Sequence, residues 1–134
     1  MISARIERQV HATMPARMGL LGEVSGALSG VGVNVSGISA YERDGIATFL
    51  LVTEDIARAS AALGGLGAQV SERSALAIKM PDQPGALQQA AARISAAGIN
   101  IFYVYGTSDT ACDRATVVFK TADDEAAAAL FAAE

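Results

Sequence analysis

The sequence predicts an α+β protein made of two copies of one βαββαβ unit, with antiparallel sheets and the helices on one face of each sheet. Three observations predict this fold class: a long internal repeat, apolar residues with a period of two before each copy of the repeat, and a helical period inside it. With 134 residues, about half of them apolar, the chain is long enough for one ordinary core or two small ones.

The repeat joins residues 18–35 to residues 84–101 at a constant offset of 66 residues. Farther along the chain the identities continue at an offset of 68, so two extra residues must lie in the second hairpin. Asp44-Gly45 predicts a tight turn in the first hairpin. The identities that define the repeat are Gly19 with Gly85, Leu21 with Leu87, Ser29 with Ser95, Gly32 with Gly98, and Asn34 with Asn100.

The spacing of apolar residues assigns the elements of each copy. A strand with alternating apolar residues precedes an amphipathic helix, two hairpinned strands rich in β-branched and aromatic residues, and a second helix. Thr53 and Thr121 are the predicted N-caps of the second helices. The alternating strand residues are Val10, Ala12 and Met14, and Leu76, Ile78 and Met80; the predicted apolar stripes of the first helices are Leu20, Val24, Leu28 and Val31, and Leu87, Ala91, Ile94 and Ala97.

The repeat divides the chain into residues 1–73 and residues 74–134. Residues 68–73 supply a fourth strand for the first copy, whereas the second copy has no such segment before Glu134. The same offset places residues 2–7 at that position of the repeat. We therefore infer that residues 2–7 complete the second sheet, whose edge would otherwise be unpaired. A frayed N-terminus beside an incomplete second sheet is the alternative.

The charge of the chain bears on its partners. The formal net charge is -4, the isoelectric point is near 4.9, and the ten basic residues are scattered along the sequence. Surfaces that bind nucleic acids or anionic membranes use clustered Lys and Arg to displace counterions. We therefore expect neither nucleic acid nor a membrane as a partner.

Cys112 is the only cysteine and His11 the only histidine. A single cysteine excludes a disulfide or a cysteine-based zinc site within one chain, and His11 has no further ligand at a suitable spacing. We expect no metal and no cofactor. The first residues lack the pattern of a secretory leader, and no segment approaches the roughly 18 apolar residues of a membrane span, which favours a cytoplasmic protein.

Residues 81–106, PDQPGALQQAAARISAAGINIFYVYG, resemble the ACT signature, in which a first strand ends in Asp-x-Pro-Gly and a Gly-[Ile/Val]-Asn-[Ile/Val] segment follows the helix. Residues 14–35 are similar, but Ala16 replaces the acidic residue and Met18 the second proline. The resemblance covers nearly the whole chain. It implies ferredoxin-like domains whose sheets pair side by side, a homodimer or larger oligomer, and regulatory binding of amino acids between domains.

The resemblance and the physics of a helix start indicate the candidate ligand site. The first amides of a helix lack intrahelical acceptors and lie at the positive end of its dipole, where a carboxylate is stabilised. An Asn after the helix offers both a donor and an acceptor. The candidate residues are Asp82, Gln83, Pro84, Gly85, Ala86, Leu87, Asn100 and Ile101 in the second copy, and Arg17, Met18, Gly19, Leu20, Asn34 and Val35 in the first.

Structural roles are the alternatives for these residues. Asp82 could serve only as a helix cap, and Asn34 and Asn100 could only hydrogen-bond the turn between helix and strand. Arg17 could offer a bidentate fork to a carboxylate or could be a solvated loop residue.

The function that this pattern favours is a non-catalytic sensor of an amino acid or related carboxylate, either free-standing or acting on a partner metabolic enzyme. No catalytic residue is predicted. The alternatives are an acylphosphatase-like hydrolase of the same topology that uses Arg17 and Asn34, and a purely structural or regulatory subunit of a biosynthetic enzyme. An RNA-binding module of the RRM type shares the element order, but its pattern requires basic residues on strands that here carry almost no charge.

Overall fold

The computed structural model describes residues 2–109 and 111–132, and within them the chain is α+β with an antiparallel sheet, six strands and four helices. No helix in this part of the chain is long and apolar enough to cross a membrane. The elements are β1 (Ser3–Pro15), α1 (Leu20–Gly30), β2 (Gly37–Arg43), β3 (Ile46–Val52), α2 (Ile56–Gly64), β4 (Gln69–Pro81), α3 (Ala86–Ala96), β5 (Ile101–Asp109), β6 (Arg114–Thr121) and α4 (Asp124–Ala129).

The chain forms two compact units, one of which is made of two separate segments of the sequence. The first unit contains residues 8–73, and the second contains residues 2–7 together with residues 74–132. Strands β1 and β4 therefore each contribute residues to both units. The side chain of Ile2 belongs to the hydrophobic core of the second unit, where it is 5% exposed.

In the first unit, β3 lies between β2 and β1 and is antiparallel to both. The predicted alternation of β1 is confirmed, because Val10, Ala12 and Met14 are all buried. The stripe Leu20, Val24 and Leu28 of α1 packs against them, as do Ala59 and Leu63 of α2. Val31 differs from the prediction, since α1 ends before it and its side chain is 41% exposed.

In the second unit, β6 lies between β4 and β5 and is antiparallel to both. Its core contains the predicted strand residues Leu76, Ile78 and Met80, together with Phe119 and Phe131.

The predicted stripe of α3 is confirmed at Ile94 and wrong at Leu87 and Ala97. Leu87 is 51% exposed and Ala97 is outside the helix, whereas the residues that pack into the core are Ala86, Ala90 and Ile94. The physical reason is the start of α3 at Ala86, which puts Ala86, Ala90 and Ile94 on the core side at a spacing of four residues. The offset of the repeat relates these three residues to the buried residues of α1.

The N-caps of α2 and α4 also differ from the prediction. Asp55 and Asp123 cap these helices, and each carboxylate accepts the amide hydrogen three residues on, at 3.0 and 3.1 Å. The hydroxyls of Thr53 and Thr121 accept instead from the amides of the two capping residues. A carboxylate at the N-cap reaches the first free amides of the helix, so the threonines only set the turn that leads into it.

A buried polar cluster ties β4, β6 and α4 together. One oxygen of the Asp124 carboxylate accepts from Ser74 Oγ at 2.7 Å and from Lys120 Nζ at 2.9 Å, and the other accepts from the amide and hydroxyl of Thr121. Burial alone would raise the pKa of Asp124, but the hydrogen bonds from Lys120, Ser74 and Thr121 outweigh it and hold the pKa below its usual value. Nothing in the sequence pattern indicated this cluster.

Candidate functional site

The loop between β4 and α3 has a backbone conformation that only glycine adopts easily. Gly85, the N-cap of α3, has φ of 92°, in the left-handed region, and no side chain caps this helix. Asp82 is therefore not a helix cap, and its amide instead donates to the carbonyl of Asp113 at 2.9 Å. The first intrahelical bond runs from the amide of Gln89 to the carbonyl of Gly85 at 2.9 Å.

A cavity of about 590 Å³ opens beside this loop within the second unit. Its apolar wall comes from Ile2 and from the prolines and alanine of the loop, and its polar groups are the side chains of Gln83, Gln89 and Arg93. Among the lining residues that the structure describes there is no carboxylate side chain. The described residues that line the cavity are Ile2, Pro81, Gln83, Pro84, Gly85, Ala86, Gln89 and Arg93.

Arg93 supplies the positive charge of this cavity. Its guanidinium carbon lies 5.0 Å from the centre of the Phe131 ring, a cation–π contact with a residue that is almost fully buried. Long side chains on a helix lean toward its N-terminus, so Gln89 and Arg93, four residues apart, present their polar ends toward the helix start. This i, i+4 spacing after the Pro-Gly turn is the sequence signal that could have identified both residues.

The structure brings together only part of the predicted site of the second copy. Gln83, Pro84, Gly85 and Ala86 line the cavity, whereas Asp82, Leu87, Asn100 and Ile101 do not. Asn100 is exposed and its carbonyl accepts from the amide of Ala122 at 2.9 Å, while Ile101 packs against the core of the second unit.

The open amides of α3 lie next to the cavity and do not form its wall. The amide of Ala86 donates to the carbonyl of Gln83 at 3.3 Å. Among the residues that the structure describes, the amides of Leu87 and Gln88 have no acceptor, but neither residue lines the cavity. The helix dipole contributes a favourable field at the cavity, and Arg93 lines the same cavity with a cationic side chain.

In the first unit the corresponding loop carries an ion pair. Nη2 of Arg17 donates to Oε1 of Glu23 at 2.8 Å, and Nε of Arg17 donates to Oε2 at 3.1 Å. The hydrogen bond between them raises the pKa of the Arg17 guanidinium and lowers the pKa of the Glu23 carboxyl. The guanidinium of Arg17, which the sequence suggested as a partner for a ligand carboxylate, is thus already bonded to a carboxylate of the protein.

The other candidate residues of the first copy are not gathered around Arg17. Met18 is almost fully exposed, Gly19 is the left-handed N-cap of α1, and the side chains of Leu20 and Val35 pack into the core. Asn34 lines a separate cavity of about 190 Å³ at the start of α2, and its carbonyl accepts from the hydroxyl of Thr53 at 2.9 Å.

His11 and Cys112 form no metal site with their surroundings. No group of three or more His, Cys, Asp or Glu side chains within residues 2–109 and 111–132 could hold a metal ion. His11 is partly buried on β1. Burial, aided by the charge of Arg73, lowers its pKa.

No protein-family model matches the chain, and no curated protein matches it in sequence. Solved structures match it in fold. A protein of Bacteroides thetaiotaomicron is 24% identical with a TM-score of 0.85, over 95% of this chain and 87% of that one. The regulatory subunit of aspartate kinase from Thermus thermophilus is 18% identical with a TM-score of 0.69, over 97% and 93% of the two chains, and that from Thermus flavus is 18% identical with a TM-score of 0.68.

Proposed function

We propose that this chain, which has the ACT-type fold of those regulatory subunits, is a non-catalytic regulatory protein that binds an amino acid or a related small carboxylate. The observation that carries the proposal is the cavity beside the start of α3. The guanidinium of Arg93 matches a carboxylate, the amides of Gln83 and Gln89 offer both donors and acceptors, and Ile2 and Pro84 provide apolar contact.

In this proposal the chain forms two ferredoxin-like ACT domains, residues 1–73 and residues 74–134, and residues 2–7 complete the sheet of the second. The burial of Ile2 in the second core supports that assignment. Within the first unit, the contact between Arg8 and Glu72, with 2.8 Å from Nε to Oε1, supports residues 69–73 as its fourth strand.

The proposal includes a homodimer or larger oligomer with ligand sites at contacts between ACT domains. The exposed apolar residues of β5 support such contacts, because Phe102 is 61% and Val104 is 48% exposed. The similarity to regulatory subunits of aspartate kinase supports a partner metabolic enzyme as the target of regulation. Such an enzyme would place the protein in the cytoplasm.

The alternative hydrolase has less support. An acylphosphatase-like mechanism requires an arginine that is available to the phosphate, and the guanidinium of Arg17 is bonded twice to Glu23. Asn34, its proposed partner, lines a different cavity, to which no residue of the loop 16–20 contributes.

The test is a thermal-shift screen of the twenty standard amino acids and succinate, each added singly, followed by calorimetry. A ligand present at about 100 times its Kd adds about 2.7 kcal/mol to the free energy of unfolding, which raises Tm by several degrees. We expect at least one compound to do so and Arg93→Gln to remove the ligand-induced shift. Arg43→Gln, an exposed arginine on β2, is the matched control. A complete screen without any shift contradicts the proposal.

A further inference from the structure

The cavity beside the start of α3 has an apolar base and a polar rim. Among the described residues that line it, Ile2 and Ala86 are buried, with 5% and 6% of their surface exposed. Gln83 and Gln89 line the same cavity and are exposed residues. Because buried lining residues lie deeper than exposed ones, a ligand that fills the cavity puts its apolar end against Ile2 and its polar groups near the two side-chain amides.

Ile2 also anchors residues 2–7 in the second unit. Its side chain belongs to the hydrophobic core of that unit. Among residues 2–7, all of which the structure describes, Ile2 is the only buried residue, and Ile6 is 41% exposed. Farther along the same strand, Val10 and Ala12 are both fully buried. A segment with one deep apolar contact opens locally at a lower cost in free energy than a strand with several. The attachment of residues 2–7 therefore depends on a side chain that also lines the cavity.

We propose that the ligand of this cavity is an amino acid with an aliphatic side chain, which contacts Ile2 and thereby keeps residues 2–7 attached to the rest of the second unit. This inference rests on the proposed function and names the class of ligand and the segment that responds to it. An aliphatic side chain is stabilised when it leaves water to lie against Ile2 and Ala86, whereas a charged side chain loses its hydration against the same wall.

The ligand and residues 2–7 stabilise each other by linkage. A ligand in contact with Ile2 binds tightly only while this side chain is seated in the core, and the same contact opposes the release of residues 2–7. At a ligand concentration of about 100 times Kd, the population of the open state falls about 100-fold. The amide hydrogens of residues 3–7 report this population through their rate of exchange with solvent.

The first experiment measures affinity by calorimetry with the full chain. The probes are leucine, isoleucine and valine, and the comparison compounds are glycine, aspartate, lysine and succinate. We expect one of the three aliphatic amino acids to bind about tenfold or more tighter than every comparison compound. Ile2→Ala should weaken its binding about tenfold or more. Ile6→Ala, the same change at an exposed position of the same segment, is the matched control and should leave the binding unchanged.

A milder pair of variants separates the ligand contact from the stability of the core. Ile2→Val and Ile78→Val make the same change in the same core, but Ile78 is not among the described residues that line the cavity. Both variants should fold, because loss of one methylene from a core destabilises a protein only modestly. We expect Ile2→Val to weaken the binding about threefold and Ile78→Val to leave it unchanged.

The second experiment follows hydrogen exchange by NMR in the unmodified protein, with and without the aliphatic amino acid that binds most tightly. At about 100 times Kd, we expect exchange at residues 3–7 to slow by up to about 100-fold. Residues 37–43 are the internal control, because they form the outer strand β2 of the first unit and contact neither the cavity nor residues 2–7 in this proposal. Their exchange should stay the same.

The outcomes distinguish this inference from the proposed function. If none of the twenty standard amino acids and succinate binds the unmodified protein, the proposed function fails and the inference fails with it. If a charged amino acid or succinate binds most tightly, the regulatory protein remains and the aliphatic class is contradicted. Equal effects of Ile2→Ala and Ile6→Ala, equal effects of the two valine variants, or unchanged exchange at residues 3–7 contradict the contact with Ile2 in the same way.

Discussion

Nζ of Lys120 lies 2.9 Å from Oδ2 of Asp124, which comes four residues later in the chain. Asp124 is only 6% exposed. Ser74 and Thr121 complete the coordination of the same carboxylate. A strand residue from β4, the end of β6 and the first residue of α4 are thereby joined through one acidic side chain.

Replacement of the buried acid should destabilise the protein strongly. Asp124→Ala removes the carboxylate that accepts from Lys120, Ser74 and Thr121 and leaves the ammonium of Lys120 without its counter-charge. Loss of one partner of a buried ion pair costs about 3 kcal/mol or more. The measurement is the free energy of unfolding in urea. Glu125→Ala, in the same first turn of α4 but exposed, is the control and should change it by less than about 0.5 kcal/mol. Equal effects of the two substitutions would count against the cluster.

The lowered pKa of Asp124 predicts how the free energy of unfolding falls at acid pH. Because the pKa of Asp124 is lowered in the folded protein, the unfolded chain binds its proton first as pH falls. The stabilisation is therefore complete above the unfolded-state pKa of about 3.9 and is lost as pH falls through the lower folded-state value. Urea midpoints measured between about pH 6 and pH 2 should fall less steeply in Asp124→Asn. A variant as acid-sensitive as the parent would show that other carboxylates dominate.

The pKa of His11 can be measured without overlap from another imidazole, because His11 is the only histidine of the chain. Partial burial, and then the charge of Arg73, lower its pKa below the ordinary value of 6.5. The folded protein thus binds this proton later than the unfolded chain does, so the contribution of His11 to stability is present above pH 6.5 and is lost as pH falls toward the folded-state pKa. NMR should report the lowered pKa directly. Arg73→Gln should raise it, and Arg43→Gln should leave it unchanged.

Replacement by alanine should change the free energy of unfolding in opposite directions at two glycines, Gly106 and Gly26. A Cβ added at Gly106 would lie 2.9 Å from the carbonyl oxygen of Thr116 and 3.0 Å from Cα of Val117, so β5 and β6 would have to separate. We expect Gly106→Ala to destabilise by about 1–3 kcal/mol. Gly26 lies inside α1 with open space around it, so Gly26→Ala should stabilise by about 0.5–1 kcal/mol. Thermal unfolding of both variants tests the pair, and a stable Gly106→Ala protein would contradict the close approach of the strands.

Local periodicity predicted the elements and much of the core. The alternation of Val10, Ala12 and Met14 fixed one face of β1, and all three are buried as predicted. The same reasoning failed at Leu87, which the helical spacing placed in the apolar stripe and which is 51% exposed. The core of the second unit instead uses Ala86 and Ala90, because the position of Gly85 sets where α3 begins and hence which side chains face inward.

The candidate site was harder to predict than the helices and strands, because its residues come together only in the tertiary structure. Gln83 and Gly85 line the cavity as the loop pattern suggested, but Ile2 reaches it from the other end of the sequence. Arg17 and Glu23 are six residues apart across a loop, outside the i, i+4 spacing by which helical ion pairs are recognised. The pairing depends on the left-handed turn at Gly19, which sequence spacing does not reveal.

The place of Ile2 in the second core has a practical consequence for genetic dissection of the molecule. A gene fragment that starts at codon 74 encodes a polypeptide without this side chain, although its apolar contacts lie among residues of the later half. Expression of that half alone therefore calls for the opening residues to be grafted on as a permuted segment. Recombination between relatives would likewise have to exchange two separate stretches of coding sequence to transfer the second unit intact.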